Sequence, residues 1–231
     1  MGQVQELLDE AIALEERWKK LHFEKATLNM SDSLKCTRMR WFKYKGYPFK
    51  EYDARARRRF MGGRVAEKVL LGYLKYLGDV FQGYGQYVVH YIDKRIRGVT
   101  DFTLKLKDKI YICELKSLDG WGYYRRKKEP DKISLLYEGQ ALNYVDCLQS
   151  KEPIEDRAMI VELARDTFEI MENLTRPIGD VREELQEDWM SLIKWVDGDK
   201  IPPVIPGYPD TKECKWCSMR IHCKEAFAEG K

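Results

Sequence analysis

The segment from Gly98 to Ser117 constrains the fold more than any other. Its halves, GVTDFTLK and KIYICELKS, are rich in β-branched and aromatic residues and lie close together in the chain. Two such runs predict an antiparallel hairpin, although the turn at Lys107–Asp108–Lys109 lacks the favoured glycine. Side chains alternate across a strand, so Ile112, Glu114 and Lys116 share one face while Cys113 and Leu115 take the other. Closing the hairpin also brings Asp101 beside Glu114. An isolated Glu–Lys pair is ordinarily surface ion-pair chemistry. Two converging carboxylates in a partly buried place are different, because they repel unless a cation neutralises them.

The rest of the chain reads as helices set around strands. Residues 3–24 form an amphipathic pattern through Val4, Leu7, Leu8, Ile12, Leu14, Trp18 and Leu21. Asp53–Leu77 reads as a second helix, and Gly62–Gly63 inside it costs roughly 1 kcal/mol per glycine, which implies close packing or a ligand. Strand patterns cover Tyr87–Tyr91, Gly98–Lys105, Lys109–Ser117, Ala158–Ala164 and Thr167–Glu172. Helical patterns cover 133–149 and Gly179–Trp195. The run IPPVIPGYP then breaks regular structure before a cysteine-bearing tail. This order predicts an α/β fold, with one mixed sheet flanked by helices.

The chemistry gathers around the hairpin. Asp101 and Glu114 offer oxygen ligands to a hard divalent ion such as Mg²⁺ or Mn²⁺. Lys116 beside them can orient a water or stabilise charge developing on a phosphate. Gln140 and Tyr144, four apart on a predicted helix, share a face and can hydrogen-bond a lysine, a water or a phosphate.

Taken in order, Asp101, Glu114-Leu115-Lys116 and Gln140-xxx-Tyr144 resemble the D…ExK…QxxxY pattern of the PD-(D/E)XK nuclease superfamily, in its RecB-like branch. The resemblance covers roughly residues 60–145. It implies a restriction-endonuclease-like core, with Asp101, Glu114 and the Leu115 carbonyl as metal ligands. Lys116 would serve the nucleophilic water, and Gln140 and Tyr144 would support the site and the DNA backbone. Many RecB-like members carry a histidine on an upstream helix. Here that position is Ala66, and Glu67 takes its place as a ligand or water-mediated contact.

Six cysteines in a chain without a secretory leader pattern call for an explanation other than disulfides. Cys214, Cys217 and Cys223 cluster in the tail, and Cys36 is the natural fourth ligand of a soft-metal site. From the residues alone this is zinc, with His222 as an alternative ligand, or an iron–sulfur cluster. An early cysteine followed by C-terminal CxxC-x5-C is similar to the iron–sulfur subset of RecB-like nucleases, which includes AddB-type nucleases and CRISPR-associated exonucleases. That likeness implies a [4Fe–4S] cluster tying the two ends of the chain together. Residues 1–200 would form the nuclease domain with its N-terminal helical part, and 201–231 the iron–sulfur tail completed by Cys36. Cys113 and Cys147 read as core residues.

The net charge is only +3, yet ten Lys/Arg fall between Lys35 and Phe60, interleaved with aromatics, and a second cluster, YYRRKK, runs from Tyr123 to Lys128. Both suit a nucleic-acid path; a solvated face with ordinary core aromatics is the plainer reading. No window is apolar enough for a membrane span, so a cytoplasmic protein is expected. The function expected is a metal-dependent DNA exonuclease acting on DNA ends or single strands, in phage recombination or replication or in CRISPR adaptation. The alternatives are a structure-specific endonuclease and a non-catalytic, metal-stapled nucleic-acid-binding module. No P-loop is present, so the chain is expected to act alone, as a homo-oligomer, or with partner nucleic-acid-processing proteins.

Overall fold

The computed structural model describes residues 9–13, 27–49, 52–84, 87–130, 132–151 and 153–230. Residues 9–13 are helical; the rest of the helix expected over 3–24 lies outside the described residues. Then come β1 (Leu28–Asn29), α1 (Thr37–Tyr44), α2 (Ala54–Leu74), β2 (Phe81–Tyr84), β3 (Val88–Tyr91), β4 (Asp93–Val99), β5 (Phe102–Leu106) and β6 (Lys109–Leu118). The second half adds α3 (Gly120–Lys127), α4 (Leu135–Leu148), β7 (Met159–Ala164), β8 (Ile170–Leu174), α5 (Arg182–Asp197), α6 (Lys212–Lys215) and α7 (Arg220–Ala228).

The strands form two sheets among the described residues, not the one that was expected. A five-stranded mixed sheet has the order β2-β5-β6-β7-β8, and a three-stranded sheet the order β1-β4-β3. The expected strand over Gly98–Lys105 is in fact two. It breaks at Thr100–Asp101, with β4 in the small sheet and β5 in the large one. The hairpin itself is as read: Phe102 opposes Cys113 and Leu106 opposes Lys109. Lys107 takes the positive φ, +58°, that a glycine would have supplied.

Strand β6 is the central element, antiparallel to β5 and parallel to β7. Its alternation serves two cores. Ile112 joins a cluster with Ala141, Leu142 and Val145 of α4, Ile160 of β7 and Trp189 of α5. Cys113 and Leu115 join a second cluster with Ala66, Leu70 and Leu71 of α2. Helix α4 is therefore buried on nearly every side, while α5 buries only the stripe Leu185, Trp189, Leu192, Ile193 and Val196. Helix α2 is capped by Asp53, whose side chain accepts from the Ala56 N–H at 2.7 Å. Its Gly63 lies against β6: a Cβ there would sit 2.7 Å from Ser117 Oγ. No helix among the described residues is long and apolar enough to cross a membrane.

Candidate active site

The end of β6 and the facing turns of α4 place the chemistry. Glu114 is 1 % exposed. Lys116 Nζ donates to Glu114 Oε1 and, at 3.2 Å, to Gln140 Oε1. Gln140 Nε2 donates to the Tyr144 hydroxyl at 3.3 Å. Their spacing on α4 puts the two on one face, toward the sheet. Tyr144 can lie there because residue 98 is glycine: a Cβ would collide with Tyr144 Cε1 and come within 2.7 Å of Met30 Sδ. Asp101 stands in the bend between β4 and β5, where its Oδ2 accepts from the Leu115 N–H at 2.7 Å. A residue's N–H and C=O point to the same side of a strand, so the Leu115 carbonyl opens toward Asp101, just past the end of β5.

The electrostatics of this cluster are those of a site short of positive charge. Burial pushes the Glu114 carboxyl up to about 8, and the Asp101 charge adds to it against the pull of Lys116. Burial also raises Asp101, opposed by the Leu115 N–H and by Lys116. Glu67 is raised by burial and then by Asp101, which brings this helix residue into the same charge network. Burial works against the Lys116 ammonium, but Glu114 and Asp101 outweigh it and hold its proton firmly. Glu114 Oε2 is buried and has no hydrogen-bond partner among the described residues. An orphaned carboxylate oxygen beside a second carboxylate fits a hard cation. Among the described residues, no three His, Cys, Asp or Glu side chains are already drawn together at the spacing of a closed metal site.

Two neighbours, Tyr137 and Glu162, escape the sequence reading, and a third, Arg126, expected on the nucleic-acid path of Tyr123–Lys128, is a clamp instead. Tyr137 lies beneath Lys116, whose Nζ is 4.9 Å from the ring centroid. Glu162 of β7 is the register partner of Lys116 and is buried. Arg126 of α3 clamps it, with Nε at 2.9 Å and Nη2 at 2.7 Å from Glu162 Oε2. A signal existed: Glu162 interrupts the apolar run MIVELA, as Glu114 interrupts YICELKS.

The basic aromatic stretch is less available than expected. Arg38, Arg40, Trp41 and Phe42 are buried in or beside α1. Arg40 binds Asp188 of α5 through Nη1 at 2.7 Å and Nη2 at 2.5 Å, and Lys43 binds Asp32 at 2.9 Å. Arg38 donates to the Pro202 carbonyl at 2.9 Å. This half of the stretch is packing that ties α1 to the C-terminal third. Its exposed aromatics are Tyr47, Phe49, Tyr52 and Phe60.

Cys36, Cys214, Cys217 and Cys223 line one cavity of about 1000 Å³, whose lining also includes Tyr137, Arg126 and Glu162. All are free thiols. Burial raises the Cys217 thiol, and Cys36, Cys223 and Cys214 each add to that shift. The fold thus gathers thiols far apart in sequence, though not at closed ligand spacing. His222 is engaged elsewhere, with Nε2 2.9 Å from the Pro48 carbonyl and Nδ1 3.5 Å from Glu225. Cys113 and Cys147 lie apart from this group, Cys113 in the core beneath α2 and Cys147 on α4.

No family model matches the chain, and no curated protein matches it significantly. Solved structures do match. The chain is similar to SSO0001, with a TM-score of 0.58 and 17% identity over 96% of each chain. It is also similar to an alkaline exonuclease, LHK-Exo, from Laribacter hongkongensis: TM-score 0.55 and 11% identity, over 89% of this chain and 95% of that one. Against LHK-Exo in complex with dAMP the TM-score is 0.56 at 10% identity, with the same coverage. This chain shares their fold. The mixed sheet, with α2 on one face and α4 on the other, is the core of that shared fold.

Proposed function

We propose that this chain is a divalent-metal-dependent nuclease of the PD-(D/E)XK type that hydrolyses DNA phosphodiester bonds, working from strand ends. The observation that carries this reading is the buried Glu114, with Oε1 held by Lys116 and Oε2, next to Asp101, left without a partner among the described residues. Asp101, Glu114 and the Leu115 carbonyl would hold Mg²⁺ or Mn²⁺, with Glu67 reaching in directly or through water. When bound, the ion neutralises phosphate charge and makes water easier to deprotonate. Lys116, fixed between Glu114 and Gln140, orients that water and stabilises negative charge on the phosphate oxygens. Tyr144 braces Gln140, and Gln140 keeps the ammonium from swinging away. The exonuclease among the similar structures, solved with dAMP, favours DNA and end-directed cutting over the binding-module alternative.

The cysteine cavity supports a second element of the reading. Cys36, Cys214, Cys217 and Cys223 would ligate a [4Fe–4S] cluster, as in the iron–sulfur subset of RecB-like nucleases, with zinc as the alternative. The donor set fits a soft metal, since four thiols from distant parts of the chain line one cavity and those of Cys36, Cys214 and Cys223 all act on Cys217. Its role would be to staple the 201–231 tail to the segment that precedes α1.

The test is anaerobic purification, followed by digestion of end-labelled linear DNA and closed circles with Mg²⁺ or Mn²⁺. Release of nucleotides from linear DNA, with circles spared and Glu114→Ala and Lys116→Ala inactive, is the expected result. Cutting of circles points to an endonuclease. Equal activity in both variants overturns the site.

A further inference from the structure

We propose that the outer face of α3 is a stacking platform for the bases of a single-stranded nucleic acid beside the candidate site. The inference rests on the nuclease reading only in making the bound strand a substrate. Helix α3 starts directly after β6, and Asp119 caps it by accepting from the Gly122 N–H at 2.7 Å. It is therefore anchored to the strand that carries Glu114 and Lys116.

The helix has two faces. Tyr123 is buried and Arg126 reaches in to Glu162, so both are spent on holding the helix down. The opposite face presents Trp121 and Tyr124, 67% and 54% exposed. Their ring centroids are 6.4 Å apart with planes 27° from parallel, and Lys128 Nζ lies 4.8 Å from the Tyr124 centroid. Residues 121, 124 and 128 follow helical spacing, so they form one line.

Large aromatics left in water, already half stacked, form a patch that a partner can cover. The cations around it identify that partner. Arg125 and Lys128 form no ion pair with a described residue, while Lys127 is held by Glu169 at 3.1 Å. Rings for stacking, flanked by free cations, match unpaired bases on a phosphate backbone. Bases inside a duplex are already stacked and cannot use the rings, so the surface selects single strands. Stacking tolerates any sequence, because every base has a π-face.

Binding is measured by fluorescence anisotropy in chelator, with Glu114→Gln protein, so that no cleavage occurs. The probes are labelled oligo(dT), an abasic oligonucleotide of equal length and a blunt duplex. Trp121→Ala with Tyr124→Ala should weaken oligo(dT) binding roughly ten- to a hundredfold and leave duplex and abasic binding nearly unchanged. Trp121→Phe with Tyr124→Phe should retain most of the affinity. Both rings are exposed, and an unchanged melting temperature verifies that the fold survives. Equal affinity of the alanine variant and the parent for oligo(dT), or an equal loss on all three probes, overturns the platform. The nuclease reading fails differently: protein with Glu114 intact that binds oligo(dT) but releases no nucleotides with Mg²⁺ or Mn²⁺.

Discussion

Glu114 is placed where a carboxylate should not be without a reason. Its ordinary value of 4.5 rises to about 8 because burial disfavours the charge and Asp101 repels it. The sign of the linkage follows. A carboxyl whose folded pKa lies above its unfolded value stabilises the fold while protonated and loses that contribution as pH rises from about 4.5 to about 8. Asp101 and Glu67 shift in the same direction. Metal-free protein should therefore lose melting temperature across that window, and Glu114→Gln should lose less. Adding Mg²⁺ or Mn²⁺ should raise the melting temperature of the parent more than that of the variant, since ligand binding to the native state adds stability. A flat profile in calorimetry at both pH extremes would contradict a charge-starved site. For Lys116→Ala, turnover should fall about a hundredfold or more, as when a positioned charge is removed from a transition state. Single-turnover kinetics at saturating metal would measure it.

At the scale of elements, two close approaches fix the site. Gly98 in β4 lets α4 lay Tyr144 against the strand, and any side chain there meets the ring. Gly98→Ala should cost about 1–3 kcal/mol by overpacking, and it should impair activity beyond the stability loss because Tyr144 supports Gln140. Denaturant melts beside activity at low temperature separate the two effects. Arg126 and Glu162 couple α3 to β7 through a buried carboxylate. Arg126→Ala leaves that carboxylate without its cation and should destabilise by about 3 kcal/mol. Replacing both members, with Arg126→Met and Glu162→Leu, should recover much of the loss, which a double-mutant cycle would report.

At the scale of the molecule, long-range ties hold the N-terminal part of the described chain to its C-terminal third. Arg40 to Asp188 and Arg38 to Pro202 join α1 to the C-terminal third, and the thiol cavity does the same for the tail. A metal at Cys36, Cys214, Cys217 and Cys223 would close a loop of well over a hundred residues, where cross-links gain most. Cys36→Ser should lower metal content and melting temperature together. Elemental analysis and absorbance near 400 nm distinguish iron from zinc, and a metal-free parent with unchanged stability would contradict the staple. Local order determined much of this protein in advance. Alternation in YICELKS fixed the shared face of Glu114 and Lys116, helical spacing paired Gln140 with Tyr144, and the hairpin put Asp101 next to them. Those relations depend on a few residues of backbone geometry, which neighbouring side chains encode. The split of Gly98–Lys105 between two sheets, the burial of α1's arginines and the Arg126–Glu162 clamp depend instead on which surfaces meet across the chain. Only the tertiary structure decided them, because a cation in a basic run reads the same whether it faces solvent or an aspartate some 150 positions away.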